Sequence, residues 1–196
     1  ELGVGMFPAL ILAGGASSRM GLPKATMLVD GSQMIVRVAH ALRDGGCTKL
    51  YIAVRDGHQR LELMSSLAHL TDVEFILDEG IERSAKGGLK SALTFCQSRD
   101  VSRIQLAPCD VPWIEGSVFK RLREENQAVV MPRSGQLQPL LALVDVTMVL
   151  TAMSRAKRGV SLKRVLRSVP NIVVDFEVDG VFRNVNSPRD ISTNRF

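Results

Sequence analysis

Short apolar runs alternate along the chain with stretches in which apolar residues return every three or four positions. Pro8–Leu12 (PALIL) reads as a buried strand, and Ala13–Lys24 as a Gly- and Ser-rich loop. Within Gln33–Leu42, residues Ile35, Val38, Ala39 and Leu42 recur at helical spacing, and Gly45-Gly46 stops that helix. The pattern then repeats. Leu50–Val54 predicts a strand, Leu61, Met64 and Leu67 the buried face of a helix, and Val73–Leu77 a third strand. Leu89, Ala92, Leu93 and Cys96 mark a helix entered through Gly87-Gly88. Arg103–Ala107 is a fourth strand, followed by Pro108-Cys109-Asp110 and by a helix containing Val118 and Leu122.

This repetition predicts an α/β protein with three layers, a mostly parallel sheet covered by helices on both faces. Crossovers in such sheets are right-handed, and ligands bind outside the carboxyl ends of the strands. The loops after Leu12, Leu77 and Ala107 are therefore expected to converge on one crevice. Beyond Val130 the rhythm changes. Ala128–Met131 and Pro139–Val144 read as strands around a turn at Ser134-Gly135, with helices near Val146–Ala156 and Ser161–Arg167, a strand at Ile172–Phe176, and a short helix opened by Pro188. With no repeat and no low-complexity linker, residues 1–196 read as one domain. About 7–130 form its regular strand–helix half and about 131–196 an elaboration.

Composition narrows the function classes. The 196 residues are 45% hydrophobic and 23% charged, which excludes a disordered chain. No apolar run reaches the roughly 18–20 residues of a membrane span, and the start carries no leader pattern. The net charge of +5 invites an anionic ligand, but aromatic residues are only 5% of the chain. Stacking platforms for nucleic acid are accordingly scarce. Cys47, Cys96 and Cys109 cannot all pair within the chain and form no C-x-x-C, so reduced thiols in a cytoplasmic protein are expected. His40, His58 and His69 lie outside the loops named above and read as surface or helix-face residues. The basic stretch Ser154–Ser168 reads first as a solvated helix face, with Leu162, Val165 and Leu166 buried; the sharper reading is a rim that attracts an anionic acceptor.

The candidate chemistry lies in the loops. Gly14 and Gly15 let backbone approach a ligand and turn N–H groups toward phosphate oxygens. Arg19 offers a planar fork and Lys24 a point charge within the same loop. The Walker pattern fails, because Met20 stands where its second glycine belongs; the dinucleotide and nucleophile-elbow patterns fail in the same way. Asp110 is placed to ligate Mg²⁺, with a turn-forming role as the alternative. Asp78 is placed comparably after the third strand, either as a solvated loop charge or as an acceptor for ligand N–H and hydroxyl groups. No Ser or Cys nucleophile stands beside a histidine base. A phosphate attacking a nucleoside triphosphate needs neither; it needs charge neutralisation and in-line placement.

Leu12-Ala13-Gly14-Gly15-x-x-x-Arg19-Met20-Gly21-x-x-Lys24 resembles the signature of nucleotidyltransferases with a Rossmann-like fold, and most of all that of the molybdenum cofactor guanylyltransferases. Pro108-Cys109-Asp110-Val111-Pro112 resembles that family's metal-binding segment, Gln138–Leu143 a following strand, and Asn184-Val185-Asn186-Ser187-Pro188 its N-x-N-[TS]-P motif. The resemblance implies transfer of GMP from GTP to the phosphate of molybdopterin-bound molybdenum, with pyrophosphate released; it makes about 7–130 the nucleotide-binding half and about 131–196 the acceptor-binding elaboration. Carried over by position, it places the backbone of Leu12, Ala13, Gly14 and Gly15 at the nucleotide, and Arg19 and Lys24 at the triphosphate. It places Asp78 at the nucleotide and Asp110 on Mg²⁺. Asn184 and Asn186 close the site toward the acceptor, with Asn186 a second metal ligand. The implied partners are GTP and a molybdopterin-type phosphorylated acceptor, with transient contact to molybdoenzymes or cofactor-delivery proteins; nucleic acid and membrane are not among them. An asparagine that some members carry after the second strand is replaced around Val54-Arg55. Cytidylyl transfer to the same cofactor, guanylyl transfer to a cobamide precursor, and nucleotide binding without turnover stay open as alternatives.

Overall fold

Every side chain of Pro8–Leu12 is apolar, and the sheet uses both faces of that run. In this strand, β1, Ala9 and Ile11 point into one core layer and Leu10 and Leu12 into the other, as the two-residue period of a strand requires. The computed structural model describes residues 7–14, 24–77, 85–177 and 180–192. After β1 come a 3-10 turn at Lys24–Thr26 and a hairpin of β2 (Leu28–Val29) and β3 (Ser32–Gln33). The chain continues through α1 (Met34–Asp44), β4 (Lys49–Val54), α2 (Gly57–Ser66), β5 (Val73–Leu77), α3 (Ala85–Ser98), β6 (Arg103–Pro108) and α4 (Gly116–Arg123). Then follow β7 (Val129–Ser134), β8 (Gln136–Leu137), β9 (Leu143–Asp145), α5 (Val146–Arg155), α6 (Leu162–Arg167), β10 (Asn171–Asp175) and α7 (Arg189–Ser192).

The main sheet has the order β10-β7-β9-β6-β1-β4-β5, with β8 paired to β7. Neighbours are parallel except at β9, which runs antiparallel to both β6 and β7, and at β8, which runs antiparallel to β7. Helices α1, α2 and α4 bury their apolar stripes on one face, and α3, α5 and α6 on the other. From β1 the chain steps outward to β4 and β5, then returns on the opposite side of β1 as β6. The strand order therefore reverses beside β1, which opens a crevice at the carboxyl ends of β1 and β6. There Leu12 and Pro108 are register partners, and the Cys109 N–H donates to the Leu12 carbonyl at 3.3 Å. None of the described helices is long and apolar enough to cross a membrane.

Three local expectations are corrected. Pro139–Val144 is not one strand: Pro139–Leu141 is a 3-10 turn, and only Leu143–Asp145 pairs. Pro139 has no N–H to give a ladder, and the carbonyl of Leu141 is taken at 2.8 Å by the side-chain amide of Gln105, buried in β6. Helix α2 is also rotated from its predicted face. Leu61 and Met64 are exposed at 68% and 44%, while Gln59 and Leu63 point inward; Leu67, just past the helix, is buried as expected. Finally, α3 starts at Ala85, so Gly87 and Gly88 lie inside its first turns instead of ahead of them.

The close crossing of α1 and α4 shows what the glycines at helix ends are for. A Cβ on Gly116 would lie 2.7 Å from the Gly45 nitrogen and 2.8 Å from the Asp44 carbonyl carbon, both backbone atoms that cannot turn away. Gly116→Ala is therefore expected to lower stability by about 1–3 kcal/mol, the usual cost of overpacking. Urea unfolding, read as a lower midpoint at constant slope, checks it.

Candidate active site

The backbone leaving β1 is held from two sides. The Ala13 N–H donates to the Ala53 carbonyl at 3.0 Å, and the Ala13 carbonyl accepts from Gln59 Nε2 at 2.9 Å. The same side chain's Oε1 accepts the Arg55 N–H at 2.8 Å. One buried amide thus fixes the chain as it leaves both β1 and β4. Its position follows from the start of α2, where the Asp56 carboxylate caps the helix by accepting the Gln59 N–H at 2.8 Å. The cap hydrogen bond and the neighbouring Arg55 hold the Asp56 carboxyl below its ordinary range.

On the other side of β1, strand β6 delivers Pro108-Cys109-Asp110. The Cys109 thiol is buried and pushed up to about 12, first by burial and then by the Asp110 charge, with Lys24 opposing. Such a thiol stays protonated near neutral pH and offers no nucleophile. Asp110 reaches into the crevice. Lys24, at the start of the 3-10 turn and braced by buried Ala25, donates from Nζ to Asp110 Oδ2 at 2.9 Å and to Asn186 Oδ1 at 2.9 Å.

A C-terminal strap supplies Asn186. Val185 is fully buried against Val29 and Met34, and its N–H donates to the Asp110 carbonyl at 2.8 Å. The neighbouring backbone is fixed by Asp190, whose Oδ2 accepts the N–H groups of Asn186 and Ser187, both at 2.7 Å. Those two bonds hold the Asp190 carboxyl below its ordinary range. Trp113 packs against the same cluster, with the Arg183 guanidinium 4.5 Å above its ring.

An ion pair as accessible as Lys24–Asp110, at 21% and 23% exposure, contributes on the order of 1 kcal/mol to stability. That is too little to explain a trio drawn from residues 86 and 162 positions apart. Two hard oxygens, from a carboxylate and an amide, converge on one cationic centre. Mg²⁺ accepts such a donor set, keeping waters and ligand oxygens in its remaining positions. Among the described residues no three His, Cys, Asp or Glu side chains gather to form a fuller metal cage.

The structure brings together Leu12, Ala13, Gly14, Lys24, Asp110 and Asn186 at this edge. Asn184 is exposed on the strap and is not hydrogen-bonded to the trio. Gly15, Arg19 and Asp78 lie outside the described residues. Sequence reasoning missed Gln59 and Asp190. Asp190 carried a signal, since Ser187-x-x-Asp190 has the spacing of a helix capping box. Gln59 carried none beyond its place in the first turn after a strand.

Comparison with known proteins gives a consistent result. The family model described as MobA-like NTP transferase domain matches residues 9–172. A probable molybdenum cofactor guanylyltransferase of Opitutus terrae is 29% identical over 152 residues, 76% of this chain and 71% of that protein. The molybdenum cofactor guanylyltransferase of Sinorhizobium fredii is 28% identical over 202 residues, 95% of this chain and 89% of that one. Among solved structures, the molybdopterin-guanine dinucleotide biosynthesis protein A of Archaeoglobus fulgidus matches with a TM-score of 0.72 at 22% identity, covering 95% and 96% of the two chains. The 4-diphosphocytidyl-2C-methyl-D-erythritol synthase of Anaerococcus prevotii matches with a TM-score of 0.76 at 11% identity, covering 96% and 93%.

Gln59→Leu keeps the apolar volume but strands the Ala13 carbonyl and the Arg55 N–H. Each unsatisfied buried group costs about 1–3 kcal/mol, so the urea midpoint is expected to fall markedly. Gln59→Glu keeps an acceptor for the Arg55 N–H but sets a buried carboxylate against the Ala13 carbonyl, so a clear fall is expected in the same measurement as well.

Proposed function

Because the chain belongs to the MobA-like NTP transferase domain family, we propose that it transfers GMP from GTP to the terminal phosphate of a molybdopterin-type acceptor, releasing pyrophosphate. A phosphate oxygen of the acceptor forms a bond to the α-phosphorus of GTP, and the α–β phosphoanhydride bond breaks. The observation that carries this reading is the Lys24–Asp110–Asn186 trio beside the backbone of Leu12–Gly14.

In this reading each residue has a stated task. Lys24 turns from its two oxygen partners toward the triphosphate and neutralises the charge that collects on the leaving pyrophosphate. Asp110 and Asn186 then hold Mg²⁺, which when bound supplies Lewis-acid polarisation of the phosphoryl oxygens. Arg19 grips the same phosphates, and Asp78 accepts hydrogen bonds from the nucleoside. The attacking phosphate is already anionic, so no general base is required. Gly14 supports the nucleotide assignment in a specific way. A Cβ there would sit 3.4 Å from the Arg55 nitrogen and 3.6 Å from the Val54 carbonyl carbon, ordinary contact distances. Among the described residues packing leaves room for a Cβ, and in this reading the glycine serves close approach by the nucleotide.

The half of the chain from about 131 onward is assigned to the acceptor. Its strands β7 and β10 end at the same sheet edge, where Arg133 pairs with Asp175 through two contacts of 2.5 and 2.7 Å. The choice of guanine rests on the relatives' names and the Leu12–Gly15 sequence, since a cytidyl-named enzyme shares the scaffold.

Incubation with GTP, Mg²⁺ and molybdopterin-loaded acceptor should yield the guanine dinucleotide, identified by mass. No product, or tighter calorimetric binding of CTP than of GTP, would overturn the reading. Asp110→Asn should abolish metal-dependent pyrophosphate release while leaving the unfolding transition in place. Gly14→Ala should weaken GTP binding by an order of magnitude or more while moving the melting temperature little; unchanged affinity would remove the backbone cradle from the mechanism.

A further inference from the structure

Away from the crevice, two histidines from separate segments meet on the surface. His40 lies on the exposed side of α1 and His69 in the turn after α2. Their Nε2 atoms are 3.2 Å apart, and their ring centroids 5.2 Å. We propose that this pair is a binding site for a late first-row divalent ion, of the Zn²⁺, Ni²⁺ or Cu²⁺ class, separate from the oxygen-lined crevice.

The geometry argues for it. An ion about 2.05 Å from each nitrogen would span the observed N···N distance at an N–metal–N angle of about 100°, near tetrahedral. Two imidazoles aimed at such an ion would have ring centroids about 5 Å apart, close to what the pair shows. Imidazole nitrogen suits these ions, whereas Mg²⁺ selects oxygen, so the two sites differ in donor chemistry. Both rings are exposed, so water can complete the coordination sphere.

The backbone beneath the pair is already organised. Arg43, near His40 on α1, donates to the Thr71 carbonyl and, at 3.1 Å, to that of Cys47. The Leu70 N–H donates to the Leu67 carbonyl at 2.9 Å, and the Leu50 N–H to that of Asp72 at 2.9 Å. The loop carrying His69 is thereby tied to both α1 and β4. The two ligands are 29 positions apart, so the site exists only in the folded chain, and occupancy stabilises the fold. Occupancy also pins the end of α2, the helix that carries Gln59, to α1.

The test uses chelator-treated protein and thermal unfolding with NiCl₂ or ZnCl₂, and with MgCl₂ as the hard-ion arm. The nickel or zinc salt should raise the melting temperature at pH 7.5, with one ion per chain by calorimetry. The rise should vanish in His40→Gln and in His69→Gln, because each substitution leaves one imidazole ligand. Magnesium should give no shift that depends on either histidine. A nickel or zinc shift that survives both substitutions, or no shift in the unaltered protein, would overturn the site and leave a bare histidine–histidine hydrogen bond.

Discussion

One ammonium group organises this end of the molecule. Lys24 Nζ is shared between Asp110 and Asn186, and it can be shared only if β1 and β6 end side by side and the C-terminal strap folds back across them. Parallel pairing of β6 to β1 meets the first condition, placing Leu12 opposite Pro108. Burial of Val185 meets the second, since an apolar anchor with no solvent exposure is worth about 1.5–3 kcal/mol. The polar trio contributes less to stability than the apolar residues that assemble it. The fold holds the charges together; the charges do little to hold the fold.

Much of this was legible because apolar period and strand order obey strong rules. β1, β4, β5 and β6 lie at or within a residue or two of their expected positions, and the core helices α1, α3, α4, α5 and α6 overlap theirs. The failures share a cause. The face of α2 was misread because a buried glutamine replaces an apolar residue at Gln59, and hydropathy has no mark for a polar side chain that is paid back by two backbone groups. Pro139–Leu141 was misread because its fate depends on Gln105, a residue distant in sequence whose amide takes the Leu141 carbonyl. The hairpin of β2 and β3 was not anticipated, having only two residues on each side.

The candidate site divides along the same line. Lys24, Asp110 and Asn186 could be named because their residue types carry charge or metal affinity at recognisable spacings. Gln59 could not be ranked beside them, because it acts on backbone N–H and carbonyl groups that every residue possesses; Asp190 also acts on backbone, and only its spacing from Ser187 marks it. Away from helix starts, little in the one-dimensional sequence shows which backbone groups will need a partner; that need arises when strand ends and loops are packed.

The strap shows how a fold separates anchoring from chemistry within three residues. Val185 turns inward and fixes depth, while Asn184 and Asn186 on either side remain exposed. In an extended segment alternate residues point in opposite directions, so burying the middle residue turns both neighbours outward. Only Asn186 reaches Lys24. Asp190 breaks the equivalence by fixing the N–H groups of Asn186 and Ser187 and not that of Asn184. The outward-facing amide nearest the capping carboxylate is held in place; the one beyond Val185 has no such restraint from it. Two asparagines of identical chemistry thus acquire different standing from a single carboxylate a few residues away.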